Sequence, residues 1–181
     1  MTSPRFGLLL DVDGPVASPV SRSVPPEIIA DLVSLAAAGW PVVFNTGRSD
    51  EFIREQVMRP MIAAGLSADT TLHAVCEKGA VWFSFTGAGP GEPQVDAELA
   101  LPGDYADAVR ALVAQKYSAH MFYDETKRAM VSVEQHVDVV NAEYLREQQE
   151  FDTDALALMR KFDLGVCRLD HHAPDSDDSI D

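Results

Sequence analysis

Phe6-Gly7-Leu8-Leu9-Leu10-Asp11-Val12-Asp13-Gly14-Pro15 is an apolar run that ends abruptly in two carboxylates. An apolar run of this length closed by Gly-Pro reads as a buried strand leading into a turn. Asp11 and Asp13 then stand at the carboxyl end of a strand, the edge at which open α/β sheets bind ligands. Two residues apart in extended backbone, their side chains lean to the same side. Close carboxylates repel unless they share a cation or a proton, and a hard, oxygen-liking ion such as Mg²⁺ suits them. The same four residues, Asp-Val-Asp-Gly, also read as a polar turn that merely closes a strand.

A second stretch sharpens the choice. Pro25-Pro26-Glu27 opens a periodic segment with Ile28, Ile29, Leu32, Val33 and Leu35 on one stripe, and Gly39 stops it. Trp40 to Asn45 is another short apolar run, ending in Thr46-Gly47-Arg48-Ser49. Strand, helix, strand makes a βαβ unit with parallel strands, which puts Asp11 and Thr46 at one edge of the sheet. Ser49 is a good N-cap, with Asp50 and Glu51 in the first helical turn and Pro60 set to kink or break the helix. Helix-start N–H groups and Arg48 favour an anion such as phosphate there. The plainer reading of Thr46-Gly47-Arg48 is a helix-entry turn with an exposed arginine.

Together, Asp11-Val12-Asp13-Gly14-Pro15 and Phe44-Asn45-Thr46-Gly47-Arg48-Ser49 resemble the first two motifs of the haloacid dehalogenase (HAD) superfamily of phosphatases. The resemblance implies that Asp11 is the nucleophile and a Mg²⁺ ligand. It implies that Asp13 is the general acid/base and offers the metal its backbone carbonyl, and that Thr46, with the Gly47 amide, holds the phosphoryl group; Arg48 joins these as a phosphate-binding candidate through its positive charge nearby. Pro15 stands where Thr is frequent. Leu72 to Cys76 is strand-like, and Glu77-Lys78-Gly79-Ala80 after it looks like the Glu-Asn-Gly-Ala that precedes the cap in the sugar-phosphatase branch. Lys78 replaces the usual Asn, either as a substrate contact or as a turn lysine facing water.

The implied fold is α/β, a Rossmann-like HAD core with a parallel sheet, of which only the first half is read, plus an α+β C2-type cap. The expected division is core at 1–80, cap at 81–170, and an acidic tail or return to the core at 171–181. In the cap, Val81 to Phe85 reads as a strand and Thr86 to Pro93 as a loop, and Tyr105 to Tyr117 has helical spacing. Met121 to Tyr123 and Ala129 to Val133 suggest a hairpin around 124–128. Helices are expected at about 137–149 and 153–162, and a strand at 165–169. Lys127 and Arg128, at the hairpin tip, are either substrate contacts or simply solvated.

The chain has 181 residues, 46% of them hydrophobic, enough for a real core. Its net charge of −15 disfavours nucleic acid and anionic membranes as partners, and means that a phosphorylated substrate needs local cations. Cys76 and Cys167 form neither a metal knuckle nor a disulfide framework, and no run approaches membrane-spanning length, so a cytoplasmic setting is expected.

The resemblance also implies a third-motif lysine and a fourth-motif acidic pair. Lys116, Lys127 and Lys161 fall in expected cap elements, Asp177 and Asp178 read as a solvated tail, and nothing closes a metal site around His171-His172. The expectation is a fragment, or a chain completed by a partner, with an exposed sheet edge and self-association. The activity implied is a Mg²⁺-dependent phosphatase acting on a sugar phosphate or similar small metabolite. The alternatives are a phosphomutase of the same superfamily and a catalytically silent Mg²⁺ or phosphate-binding module.

Overall fold

The computed structural model describes residues 6–18 and 21–165. Two compact units divide the chain: residues 1–100 with 125–130, and residues 101–124 with 131–181. The sequence reading divides at residue 80, but 81–100 belong with the first unit because their strands extend its sheet. Lys127, expected among the elements of the second domain, likewise lies in the first unit.

The first unit is built on a sheet of strands β1 (Leu8–Asp11), β2 (Val42–Asn45), β3 (Leu72–Cys76), β4 (Val81–Thr86), β5 (Gly89–Pro90) and β6 (Gln94–Val95). The order is β1-β2-β3-β4-β5, with β6 also on β4; β1, β2 and β3 run parallel, and β4 turns back antiparallel on β3. Leu10 pairs with Phe44 and Asp11 with Asn45, so the ends of β1 and β2 coincide as a βαβ crossover requires. Val42 and Phe44 are buried, and Leu8 and Leu10 pack against the same core. β1 occupies an edge of this sheet and Leu9 is 70% exposed, so the opening run is not buried on both faces.

Helix α1 (Pro26–Ala37) begins with Pro26 in its first turn, where a missing N–H costs nothing, and sends Ile29, Leu32 and Ala36 inward. Helix α2 (Asp50–Ile53) is capped by the Ser49 hydroxyl, which accepts from the Phe52 N–H. A π-type turn at Arg54–Met58 leads into α3 (Arg59–Ala63), where Pro60 sits in the first turn. The Arg59 N–H reaches the Arg54 carbonyl, so the backbone widens just ahead of the proline, as its lost donor demands.

The second unit has helix α4 (Gly103–Leu112) running into a π-type turn at Val113–Tyr117, the two-stranded ribbon β7 (Met121–Tyr123) with β8 (Val133–Gln135), and α5 (Asn141–Lys161). Tyr105, Val109 and Val113 form its core with Tyr123, Val133, Phe151 and Phe162. Tyr117 meets Phe151 edge-on at 5.4 Å. Two expectations are corrected here. The second hairpin strand is 133–135 rather than 129–133, because the backbone N–H groups of 128–130 are taken by Glu77. The two expected helices are one, because Thr153 turns its hydroxyl to the Gln149 carbonyl instead of capping a new start. The expected strand at 165–169 and the tail at 171–181 lie outside the described residues, Gly165 apart.

Candidate active site

At the end of β1, Val12 is fully buried while Asp11 and Asp13 on either side of it are exposed, the alternation expected of extended backbone. The Val12 carbonyl accepts from Val16 and Ala17, and Gly14 donates to Ala17, which folds the turn back under the two acids. Gly14 has φ +98°, a conformation that a side chain would strain.

From the end of β2, Thr46 is buried, with its hydroxyl 3.4 Å from Asp13 Oδ2 and accepting from the Arg48 N–H at 3.0 Å. Arg48 Nε donates to both Asp13 oxygens, at 3.1 and 3.3 Å, and its guanidinium lies over the Phe52 ring at 5.4 Å. Asp13, Thr46 and Arg48 therefore meet, and Asp11 stands beside them in register with Asn45.

The turn after β3 packs on this loop. Thr46 N–H donates to Val75, Glu77 N–H to Arg48, and Lys78 N–H to Thr46. Glu77, Lys78 and Gly79 all have positive φ, at 49°, 55° and 105°. Two successive non-glycine residues in the left-handed region store strain that the surroundings must hold in place. The turn lays the Lys78 side chain along Gly47: a β-carbon there would lie 3.9 Å from both Lys78 Cγ and Cε.

A third segment, residues 125–130, closes on the same loop. Lys127 Nζ donates to the Gly47 carbonyl at 2.6 Å, and Thr126 Oγ1 donates to Ser49 Oγ at 2.8 Å. Arg128 Nε and Nη2 reach the two oxygens of Asp50 at 2.6 and 3.2 Å. Asp50 is buried and is also paired with Arg54 at 3.1 Å. Glu77, buried as well, accepts from the backbone N–H groups of Arg128, Ala129 and Met130, each at 2.9 Å. A buried carboxylate with three such donors is fully satisfied. Burial pushes the Cys76 thiol beside these groups up to about 12, and the charges of Asp50 and Glu77 add to the rise.

Each residue expected to act is thus located. Asp11, Asp13, Thr46, Gly47, Arg48 and Lys78 cluster at the sheet edge, whereas the Arg128 guanidinium is engaged by Asp50. Reading the motifs quoted Glu77 within Glu77-Lys78-Gly79-Ala80 and Asp50 in a first helical turn but gave neither a partner in residues 125–130, and it did not single out Thr126; a glutamate directly after an apolar strand was the available signal. Arg48, Arg54, Lys78, Lys127 and Arg128 gather here, five of the fourteen lysines and arginines in a chain of net charge −15. For a metal, Asp11 and Asp13 offer the hard oxygen donors that Mg²⁺ takes, one or two carboxylates beside retained waters. Among the described residues, no group of three or more His, Cys, Asp or Glu side chains forms a fuller cage.

Neither a protein-family model nor a curated protein matches the sequence. Among solved structures, a trehalose-6-phosphate phosphatase related protein superposes with TM-score 0.55 at 17% identity, covering 88% of this chain and 62% of its own. The IMP-nucleotidase of Plasmodium falciparum superposes with TM-score 0.54 at 10% identity, covering 90% of this chain and 45% of its own. The chain therefore spans less than two thirds of either protein. At such identity the likeness establishes the fold, a Rossmann-like α/β arrangement around a mixed sheet whose first three strands are parallel, of the kind that the resemblance to the haloacid dehalogenase superfamily implies.

Proposed function

We propose that the chain is a Mg²⁺-dependent phosphatase that hydrolyses the phosphomonoester of a sugar or similar small metabolite. The observation that carries this reading is the meeting of Asp13, Thr46 and Arg48 beside Asp11 at the carboxyl edge of β1 and β2. Phosphoryl transfer needs a nucleophile, cations and donors for the equatorial oxygens, and a proton for the leaving oxygen. Asp11, Asp13, Thr46 and Arg48 are side chains of the types this chemistry uses.

A carboxylate oxygen of Asp11 attacks phosphorus, the ester P–O bond breaks, and Asp13 gives its proton to the leaving oxygen. Asp13, now a carboxylate, takes a proton from water as that water attacks the aspartyl-phosphate, releasing inorganic phosphate and restoring Asp11. Thr46, the Gly47 amide and Arg48 hold the phosphoryl oxygens, with Lys78 beside them. The Asp11 carboxylate and the Asp13 backbone carbonyl would hold Mg²⁺, which would add neutralisation of phosphoryl charge. The likeness to a trehalose-6-phosphate phosphatase related protein and an IMP-nucleotidase supports a small phosphorylated substrate at this site.

The test is phosphate release from a panel of sugar phosphates and nucleoside monophosphates, with and without Mg²⁺. Hydrolysis that falls about 10³-fold or more in Asp11→Asn supports the reading, since loss of a nucleophile removes the covalent route. Undiminished hydrolysis in that variant overturns it. Phosphate moved within a sugar rather than released identifies the phosphomutase instead, and binding of phosphate without turnover identifies the silent module.

A further inference from the structure

We infer that Glu77 is a positioning residue for the loop that presents Thr46 and Arg48: its backbone shares in the bonds that hold that loop, and its carboxylate fixes that backbone. This deepens the phosphatase reading of the site and rests on it. On one side, the Glu77 N–H donates to the Arg48 carbonyl at 3.1 Å and the Lys78 N–H to the Thr46 carbonyl at 3.3 Å. Thr46 and Arg48 are the two residues whose side chains face Asp13. On the other side, the Glu77 carboxylate collects the Arg128, Ala129 and Met130 amides from more than fifty residues away.

The backbone that joins these two sets of bonds is strained. Glu77 and Lys78 stand at φ 49° and 55°, where residues with a β-carbon are rare, and such a conformation persists only where the surroundings impose it. The three amides impose it here. Glu77 is 1% exposed, so without them an unsatisfied carboxylate would be left in the interior, and the turn would have to open to return it to water. Opening the turn takes the Glu77 and Lys78 N–H groups off the loop. Residues 125–130 are also pinned just beyond that loop, Thr126 to Ser49 and Arg128 to buried Asp50. A carboxylate that merely anchored this segment would serve as well from relaxed backbone. A shift of about 1 Å in a group that orients a substrate costs on the order of 10²-fold in rate, so a loosened loop is felt in turnover.

The experiment measures amide hydrogen exchange by peptide mass spectrometry, without substrate, for the wild type, Glu77→Gln and Arg128→Met, alongside kcat and KM with p-nitrophenyl phosphate and Mg²⁺. In Glu77→Gln the peptides covering 43–50 and 75–80 are expected to exchange about tenfold faster or more, with 26–37 within about twofold of the wild type. In the same variant kcat/KM is expected to fall about tenfold or more. Arg128→Met keeps Glu77 and its donors but loosens the segment, and is expected to move the same two peptides in the same direction. If 125–130 exchanges faster in both variants while 43–50 does not, Glu77 is an anchor only and the inference is overturned. If Glu77→Gln speeds exchange throughout the first unit, Arg128→Met decides: faster exchange confined to the segment and those two peptides supports the assignment, and any other pattern sinks it. If the wild type releases no phosphate from the ester, the phosphatase reading fails, and the exchange pattern still decides whether Glu77 sets this loop.

Discussion

Arg48 Nε lies within 3.3 Å of both carboxylate oxygens of Asp13, across 35 residues of sequence, so the expected proton donor and the expected phosphate ligand are held as one unit. Both side chains are partly exposed, at 26% and 40%, and an exposed pair contributes less than about 1 kcal/mol to stability. Arg48→Met should therefore leave the urea midpoint nearly unchanged while kcat/KM falls about 10- to 100-fold, the size expected for losing one charged transition-state contact. Parallel loss of stability and activity would show the pair to be structural.

Asp50 makes the opposite case. It is buried, with Arg54 and Arg128 on its two oxygens, and removing it strands two cations. Breaking a buried pair costs about 3–5 kcal/mol, but the arginines are 25% and 46% exposed and water takes up part of that. Asp50→Asn should lower the unfolding free energy by about 2 kcal/mol, seen as a shifted urea midpoint at unchanged slope.

Cys76 is buried and its thiol is pushed up to about 12, chiefly by burial. The thiolate is the reactive form, so native protein at pH 8 should resist iodoacetamide at Cys76 and label there only on unfolding. Peptide mass mapping separates Cys76 from Cys167, and rapid labelling of Cys76 in native protein would contradict the packing of β3.

In the second unit, hydrogen bonds from Lys116 and Tyr117, each 2.8 Å, hold the Asp154 carboxyl below its ordinary value. A group whose folded value is depressed stabilises above its unfolded value and loses that contribution as pH falls through the folded one. Stability of this unit should therefore decline below about pH 4, the ordinary aspartate range, and Asp154→Asn should flatten that decline. Unfolding followed by circular dichroism between pH 2 and 6 reads it; equal acid slopes in the two proteins would count against the interaction.

What the sequence made legible was whatever local chemistry controls. Apolar runs ending in Asp11-Val12-Asp13 and Asn45-Thr46-Gly47 place both motifs at one sheet edge, because a βαβ connection leaves no other parallel arrangement. Pro60 announces the π-type turn ahead of it through the backbone N–H it lacks. What stayed hidden depends on partners far along the chain. Ala129-Met130-Val131 has strand-like composition, but a carboxylate from residue 77 claims the amides that a strand would need. Phe151-Asp152-Thr153-Asp154 reads as a helix start, yet Thr153 bonds backward to Gln149 and Asp154 turns to Lys116, so α5 runs through. Lys127 has the composition of a solvated loop tip, and only the tertiary structure puts it against Gly47.

The three amides on Glu77 have a consequence for the order in which the chain is made. Fifty-one to fifty-three residues separate that carboxylate from its donors. During synthesis at about 5–20 residues per second, β1 to β4 emerge several seconds before residues 128–130 can reach them. For that interval a charged group destined for the interior lacks the three amides that satisfy it in the folded chain, and burying it unpaired costs several kcal/mol. The first unit therefore cannot close over Glu77 as its strands appear, and a polypeptide stopped at residue 124 should stay open, sensitive to protease, until residues 125–130 are supplied.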